Sequence, residues 1–138
     1  MKKLVFFMLF CSLTLSSYNV EKVTNYKITL EDTIIPPLTK ENVEKELIKR
    51  KIPHHKIVLA QSLLETGHYT SAHCKNRNNI FGMRNKKGYK YYNNWIECID
   101  DYENKFSKRY KGGDYFVFLR KVNYAEDPSY EQKVRKLM

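Results

Sequence analysis

The run Ile57-Val58-Leu59-Ala60-Gln61-Ser62-Leu63-Leu64 constrains this chain more than any other segment. Its apolar side chains fill successive positions, so a helix made from them is apolar around most of its circumference and has to be enclosed by the rest of the domain. Ile52-Pro53 breaks the chain ahead of it, Pro53 suiting a first helical turn, and Thr66-Gly67 supplies a stop behind it. In 138 residues there is room to wrap one such segment, which excludes a multidomain assembly.

The flanking segments read as amphipathic helices. Thr39 is expected to cap one with Val43, Leu47 and Ile48 inward. Trp95, Ile96, Ile99, Tyr102, Phe106 and Tyr110 step by three and four and predict another, stopping before Gly112-Gly113. Asp114 is a cap for a helix that turns Tyr115, Phe118, Leu119 and Val122 inward, and Asp127-Pro128 opens a last one that buries Tyr130, Val134 and Leu137. His68 to Asn79 reads only as a polar stretch. Ile80 to Arg84, the turn-like Asn85-Lys86-Lys87-Gly88 and Tyr89 to Tyr92 fit a small hairpin. The expected fold class is α+β and predominantly α-helical, a helical domain with a small β-hairpin lobe.

Residues 1–17 read as a secretory signal peptide: Met1-Lys2-Lys3, the apolar Leu4 to Phe10, then Cys11 and Ser12 to Ser17. The apolar stretch is broken by Ser12 and Thr14 and falls short of the roughly 20 residues a spanning helix needs. An exported protein is expected, in the periplasm, envelope or medium. It meets a membrane only if Cys11 is lipidated, which the bulky Phe10 before it disfavours. Residues 18–38, ending in Pro36-Pro37-Leu38, are expected as an arm or linker and 39–138 as the folded domain. Cys74 and Cys98 remain in that domain, either as one disulfide or as two buried thiols.

Twenty-five Lys and Arg against fifteen Asp and Glu give +10, a balance that favours polyanionic partners. No Arg/aromatic pattern or recognition helix is present, so no nucleic acid is expected. His54, His55, His68 and His73 form neither an H-E-x-x-H nor an i, i+4 pair, and no metal or cofactor is expected. Lys75, Arg77, Arg84, Lys86, Lys87 and Lys90 surround the hairpin, as a solvated rim or as an attraction to a negatively charged wall. Tyr89, Tyr91, Tyr92 and Trp95 beside them stack on sugars or belong to the core.

Glu65 is the one acid between Glu46 and Glu97, and it closes the apolar helix. Desolvation and the negative end of the helix dipole both disfavour its charged form. A carboxylic acid kept protonated near neutral pH is what cleavage of a glycosidic bond requires, because the leaving oxygen must receive a proton. The plainer reading is a solvated or Arg-neutralised helix end, with Arg77 or Arg84 as partner.

Four blocks in order carry a family resemblance: Ile57 to Ser71 with its A-Q-x-x-L-E-T-G core, Asn78-Asn79-Ile80-Phe81-Gly82-Met83, Asp101-Tyr102, and Tyr124-Ala125-Glu126-Asp127-Pro128-Ser129-Tyr130. From about Thr39 to the C-terminus the chain resembles the bacterial glucosaminidase family of peptidoglycan hydrolases, glycoside hydrolase family 73. The resemblance implies a lysozyme-like fold and an endo-acting catalytic domain that cuts the β-1,4 bond after N-acetylglucosamine in glycan strands. It maps the general acid onto Glu65 and a tyrosine near the reacting sugar onto Tyr124. Gln61, His68, Asn78, Asn79, Phe81 and Tyr130 are expected around the glycan, with Asn79 and Phe81 partly structural, and the enzyme is expected to act as a monomer.

Many members of that family carry a second acid in the β lobe, but Met83 to Asn94 contains none. Three ways out are open: Glu97, Asp100 or Asp101 reaches in; the substrate's acetamido oxygen attacks, oriented by Tyr124; or turnover is weak. Substrate assistance is the favoured one, since it asks for a single protein carboxylate. The rival activities are a muramidase or lytic transglycosylase on the same fold, a wall-binding protein without turnover, and a basic domain that binds polyanions without specificity.

Overall fold

The computed structural model describes residues 34–138, so the expectations for 1–17 and for most of 18–38 lie outside the described residues. α1 (Lys40–Lys49) begins where Thr39, in extended backbone, accepts the Asn42 amide on its hydroxyl at 3.2 Å. Such a cap is worth about 1 kcal/mol. Val43 and Leu47 are wholly enclosed, while Ile48, expected inward, is 53% exposed. At 3.6 residues per turn it points about 100° away from Leu47, past the edge of the buried stripe. Ahead of α1, the Pro36 carbonyl accepts the Trp95 indole N–H at 2.9 Å and Leu38 packs on the core.

α2 (His55–Thr66) is the enclosed helix: every residue from Ile57 to Leu63 is buried. It starts after Pro53 and not at it, because His54 takes a left-handed conformation (φ 52°) and its ring meets the Tyr110 hydroxyl at 2.8 Å. Gly67, at φ 55°, ends the helix by returning its N–H to Leu63. α1 and α6 pack against α2.

α3 (Ala72–Arg77) lies inside the stretch read only as polar. The Ser71 hydroxyl caps it and Asn78, left-handed at φ 50°, closes it. Only Cys74 of its six residues is buried, too little apolar surface for a periodicity to show. A small hairpin follows, shorter than expected: β1 (Arg84–Asn85) is antiparallel to β2 (Gly88–Tyr89) with Arg84 opposite Tyr89, so Asn85 and Gly88, read as turn, are strand, while Ile80 to Met83 and Lys90 to Tyr92 are not.

α4 (Trp95–Lys105) is capped by Asn94, which accepts the Glu97 amide, while Glu97 reaches back to the Asn93 N–H at 3.0 Å. The single helix expected as far as Tyr110 breaks at Phe106 (φ −123°), beyond which Ser107–Arg109 makes one 3-10 turn. Asp114 caps α5 (Tyr115–Lys121) as expected, but Phe116 joins Tyr115 and Leu119 inside, while Phe118 and Val122 are half-buried. α6 (Tyr130–Arg135) starts two residues later than expected. Asp127 spends its carboxylate on the Ser129 N–H and hydroxyl in the turn before it. Val134 is wholly buried; Tyr130 and Leu137 are only partly so. Cys74 and Cys98 are both buried free thiols, which decides against the disulfide. The described residues are predominantly helical with one small antiparallel hairpin.

Candidate active site

Glu65 sits in the last turn of α2, exposed at the end of a helix whose stretch from Ile57 to Leu63 is enclosed. Its Oε1 accepts the Tyr130 hydroxyl of α6 at 3.2 Å. Its Oε2 lies against Gly82, so closely that a Cβ there would stand 2.9 Å away. Gly82 has φ +62°, which glycine adopts at little cost. Neither expected arginine neutralises Glu65. Arg77 donates to the Tyr89 carbonyl at 3.2 Å, Arg84 lies 4.6 Å over the Tyr89 ring, and no ion pair among the described residues includes Glu65.

Crowding by surrounding protein pushes the Glu65 carboxyl above its ordinary range; the Tyr130 hydrogen bond pulls it down by less. The side chain as a whole is nonetheless open to solvent. The carboxyl is therefore crowded in the direction that helps it hold its proton, on a side chain still accessible to a substrate.

Tyr124 stands next to this acid. It is half-buried, edge-on to Phe106 at 4.8 Å and to Tyr102 at 5.9 Å, and 5.7 Å from the Tyr130 ring. Its hydroxyl reaches the Phe81 carbonyl at 3.5 Å, the residue before Gly82. Burial first, then the neighbouring phenols and the Glu65 charge, hold Tyr124 well above the ordinary phenol range, so it is a neutral donor.

Three residues expected at the glycan are internal. Gln61 is 0% exposed, and both ends of its amide are taken by phenols: Tyr102 donates to Oε1 at 2.7 Å and Nε2 donates to Tyr130 at 3.2 Å. Asn79 is buried and ties the hairpin together, donating to the Met83 carbonyl at 2.8 Å and the Lys90 carbonyl at 3.1 Å while accepting the Met83 N–H at 2.8 Å. Phe81 is buried over Tyr102 at 4.3 Å. These three act on the site by holding the Phe81-Gly82 backbone and the Tyr130 phenol in place. Asn78 donates its amide to the Tyr92 and Asn93 carbonyls, and His68 is exposed just beyond Gly67 with a left-handed backbone. Of the aromatics beside the hairpin, Trp95 and Tyr92 are core, Tyr89 is held between Arg84 and His73, and Tyr91 is open.

The three carboxylates considered as a second catalytic group are engaged elsewhere. Asp100 pairs with Arg50, Glu97 caps α4, and Asp101 accepts from Lys90 Nζ at 2.7 Å and the Tyr92 hydroxyl at 2.6 Å. A separate cavity of about 180 Å³ between α5 and α6 shares Tyr130 with the site but does not include Glu65. Among the described residues no group of three or more His, Cys, Asp or Glu side chains is arranged to hold a metal ion.

The Asn78 to Met83 block supplies the glycine that admits this close approach, and the tertiary structure makes Glu65 the group it admits. A crowded, unpaired acid at the end of an enclosed helix, facing a glycine turn at the foot of a small hairpin, is the arrangement of a lysozyme-like glycosidase. Residues 40–138 match the Glucosaminidase family, described as mannosyl-glycoprotein endo-beta-N-acetylglucosaminidase, and the chain belongs to this family. It is a glycoside hydrolase of the endo-β-N-acetylglucosaminidase kind, in a family that acts on peptidoglycan. No curated protein and no solved structure shows significant similarity to the chain.

Proposed function

We propose that this enzyme cuts the β-1,4 bond after N-acetylglucosamine in peptidoglycan glycan strands, with Glu65 as the general acid. The observation that carries this reading is the Glu65 carboxyl itself: solvent-accessible, crowded toward its neutral form, and among the described residues hydrogen-bonded to the Tyr130 phenol alone. Glu65 gives its proton to the leaving O4 as the C1–O4 bond breaks. With Glu97, Asp100 and Asp101 occupied, the substrate's own acetamido oxygen closes onto C1 and forms an oxazolinium, a recognised exception to the two-carboxylate rule. Tyr124, a neutral donor beside Glu65, orients that acetamido group. Water then adds to C1 with Glu65 taking its proton, which regenerates the acid and leaves a reducing N-acetylglucosamine. Export by residues 1–17 belongs to this reading, since the substrate lies outside the cytoplasmic membrane. The exposed Lys75, Lys86 and Lys87 near the hairpin suit an anionic wall.

The test is digestion of purified peptidoglycan by the parent enzyme and by Glu65→Gln, with the fragments reduced and identified by mass. N-acetylglucosaminitol ends from the parent and none from the variant are expected. Anhydro-muramic ends would mean a transglycosylase, muramitol ends a muramidase, and no fragments from either protein a wall-binding domain.

A further inference from the structure

Beneath Glu65 lies a file of buried polar side chains that the cleavage step does not use. Tyr102 and Tyr115 are almost completely enclosed, Gln61 is 0% exposed, and Tyr130 is half-buried. Their hydrogen bonds run in one direction. Tyr102 has a single O–H, and it goes to Gln61 Oε1 at 2.7 Å. The 3.0 Å contact between the Tyr102 and Tyr115 hydroxyls must therefore be donated by Tyr115. Gln61 Nε2 donates to Tyr130, so the Tyr130 proton is left for Glu65 Oε1. Tyr115, Tyr102, Gln61, Tyr130 and Glu65 form a chain in which each donor points toward the carboxyl, from four separate elements: α5, α4, α2 and α6.

We propose that Gln61 and Tyr130 are positioning residues, and that this chain fixes which oxygen of Glu65 delivers the proton. Because Oε1 is always an acceptor from Tyr130, the neutral acid carries its own proton on Oε2, the oxygen beside Gly82. Gln61 enforces this. Its amide N–H occupies the Tyr130 lone pair on the inner side, and the buried phenols of Tyr102 and Tyr115 hold the amide from behind. Satisfied buried networks of this kind strengthen along their length and specify one geometry. The titratable groups facing Glu65 are Tyr130 from α6 and Tyr124 from the segment before it; no charged side chain pairs with it among the described residues. The proton in question is the one used in the cleavage proposed above, and in that respect the inference rests on that reading.

The experiment compares the parent with Tyr130→Phe and Tyr102→Phe, each checked for folding by thermal melting. Glu65 is followed by carbon-13 carboxyl NMR in substrate-free protein, its resonance assigned by its absence in Glu65→Gln. Tyr130→Phe removes a bond to the charged form, so Glu65 is expected to ionise at higher pH, with kcat lower by roughly 10–100-fold and KM unchanged. Tyr102→Phe is expected to shift the same titration in the same sense by less, through Gln61. A Glu65 titration that superimposes on the parent in Tyr130→Phe overturns the proposal, as does a raised KM at unchanged kcat, which would make Tyr130 a sugar contact. The titration needs no substrate. A shifted titration in a protein that releases no N-acetylglucosamine ends would sustain the positioning chain and sink the glucosaminidase reading instead.

Discussion

The Oε2 atom of Glu65 occupies the space into which a side chain on Gly82 would grow, 2.9 Å from its Cβ position. Gly82→Ala therefore has two separable effects. The left-handed backbone costs an alanine about 1–2 kcal/mol, and the new methyl turns away the flexible end of Glu65. The expected outcome is a modest loss of melting temperature together with a 10–100-fold fall in kcat on purified peptidoglycan. A variant with reduced stability but parental kcat would show that the acid works from another rotamer.

Removing the acid is expected to lower activity by about 10²–10⁴-fold in Glu65→Gln while making the fold more stable at neutral pH. Crowding raises the folded-state pKa of Glu65 above its unfolded value. Between those two values the folded chain holds a proton that the unfolded chain releases, so stability falls as pH rises through the interval. Above it the ionised Glu65 remains a net cost, which glutamine lacks. Denaturant melts at pH 7 should favour Glu65→Gln, and the difference should close as pH falls below the unfolded glutamate value of about 4.3. In the parent, turnover should decline as pH rises through the raised Glu65 pKa.

Asp101 is expected to be structural. Burial pushes its carboxyl up, but hydrogen bonds from Lys90 and Tyr92 outweigh that and hold it below the ordinary range. A depressed folded pKa gives stability that is present above the unfolded value and is lost as pH falls through the folded one. Asp101→Asn should cost roughly 1.5–3 kcal/mol at neutral pH, and less in acid, because it weakens a charged hydrogen bond from Lys90 and disturbs the Tyr92 phenol. Urea melts at two pH values measure this. Turnover per folded molecule should persist; if it vanished with folding intact, Asp101 would be the second carboxylate and substrate assistance would be wrong.

The thiols offer a test of the core. Burial raises both, Cys98 up to about 12, and neither is accessible. Iodoacetamide at pH 8 should leave Cys74 and Cys98 unmodified in the native protein and alkylate both in denaturant, read by peptide mass. Failure of both to alkylate in denaturant until a thiol reductant is added would indicate that they are joined after all.

The helical frame was legible because its signals are local. Thr39 and Asp114 cap where their side chains predict, and Gly67 stops α2 where a glycine should. The misjudged features are those that neighbours decide. Phe116 turns fully inward and leaves Phe118 only half-buried against the core, because α5 is only two turns long and its buried side depends on what it meets. Phe106 breaks a helix that periodicity alone would extend to Tyr110, and α3 has too little apolar surface to announce itself. Among the candidate site residues, Glu65 was visible as an isolated acid ending an apolar run. The structural share of Asn79 was legible, but the enclosure of Gln61 was not, since a glutamine in a motif reads the same whether it faces a sugar or two phenols.

What the sequence determined by itself is the enclosed helix and the acid at its end, because an all-round apolar segment has to be buried and a glycine stop then brings the next polar residues to the surface. Only the tertiary structure decided what that acid would meet. Gly82 and Tyr130 lie 17 and 65 residues further along the chain and touch different oxygens of Glu65. Bringing them there takes the packing of α6 on α2 and the Asn79-pinned hairpin, long-range contacts whose geometry no local pattern encodes.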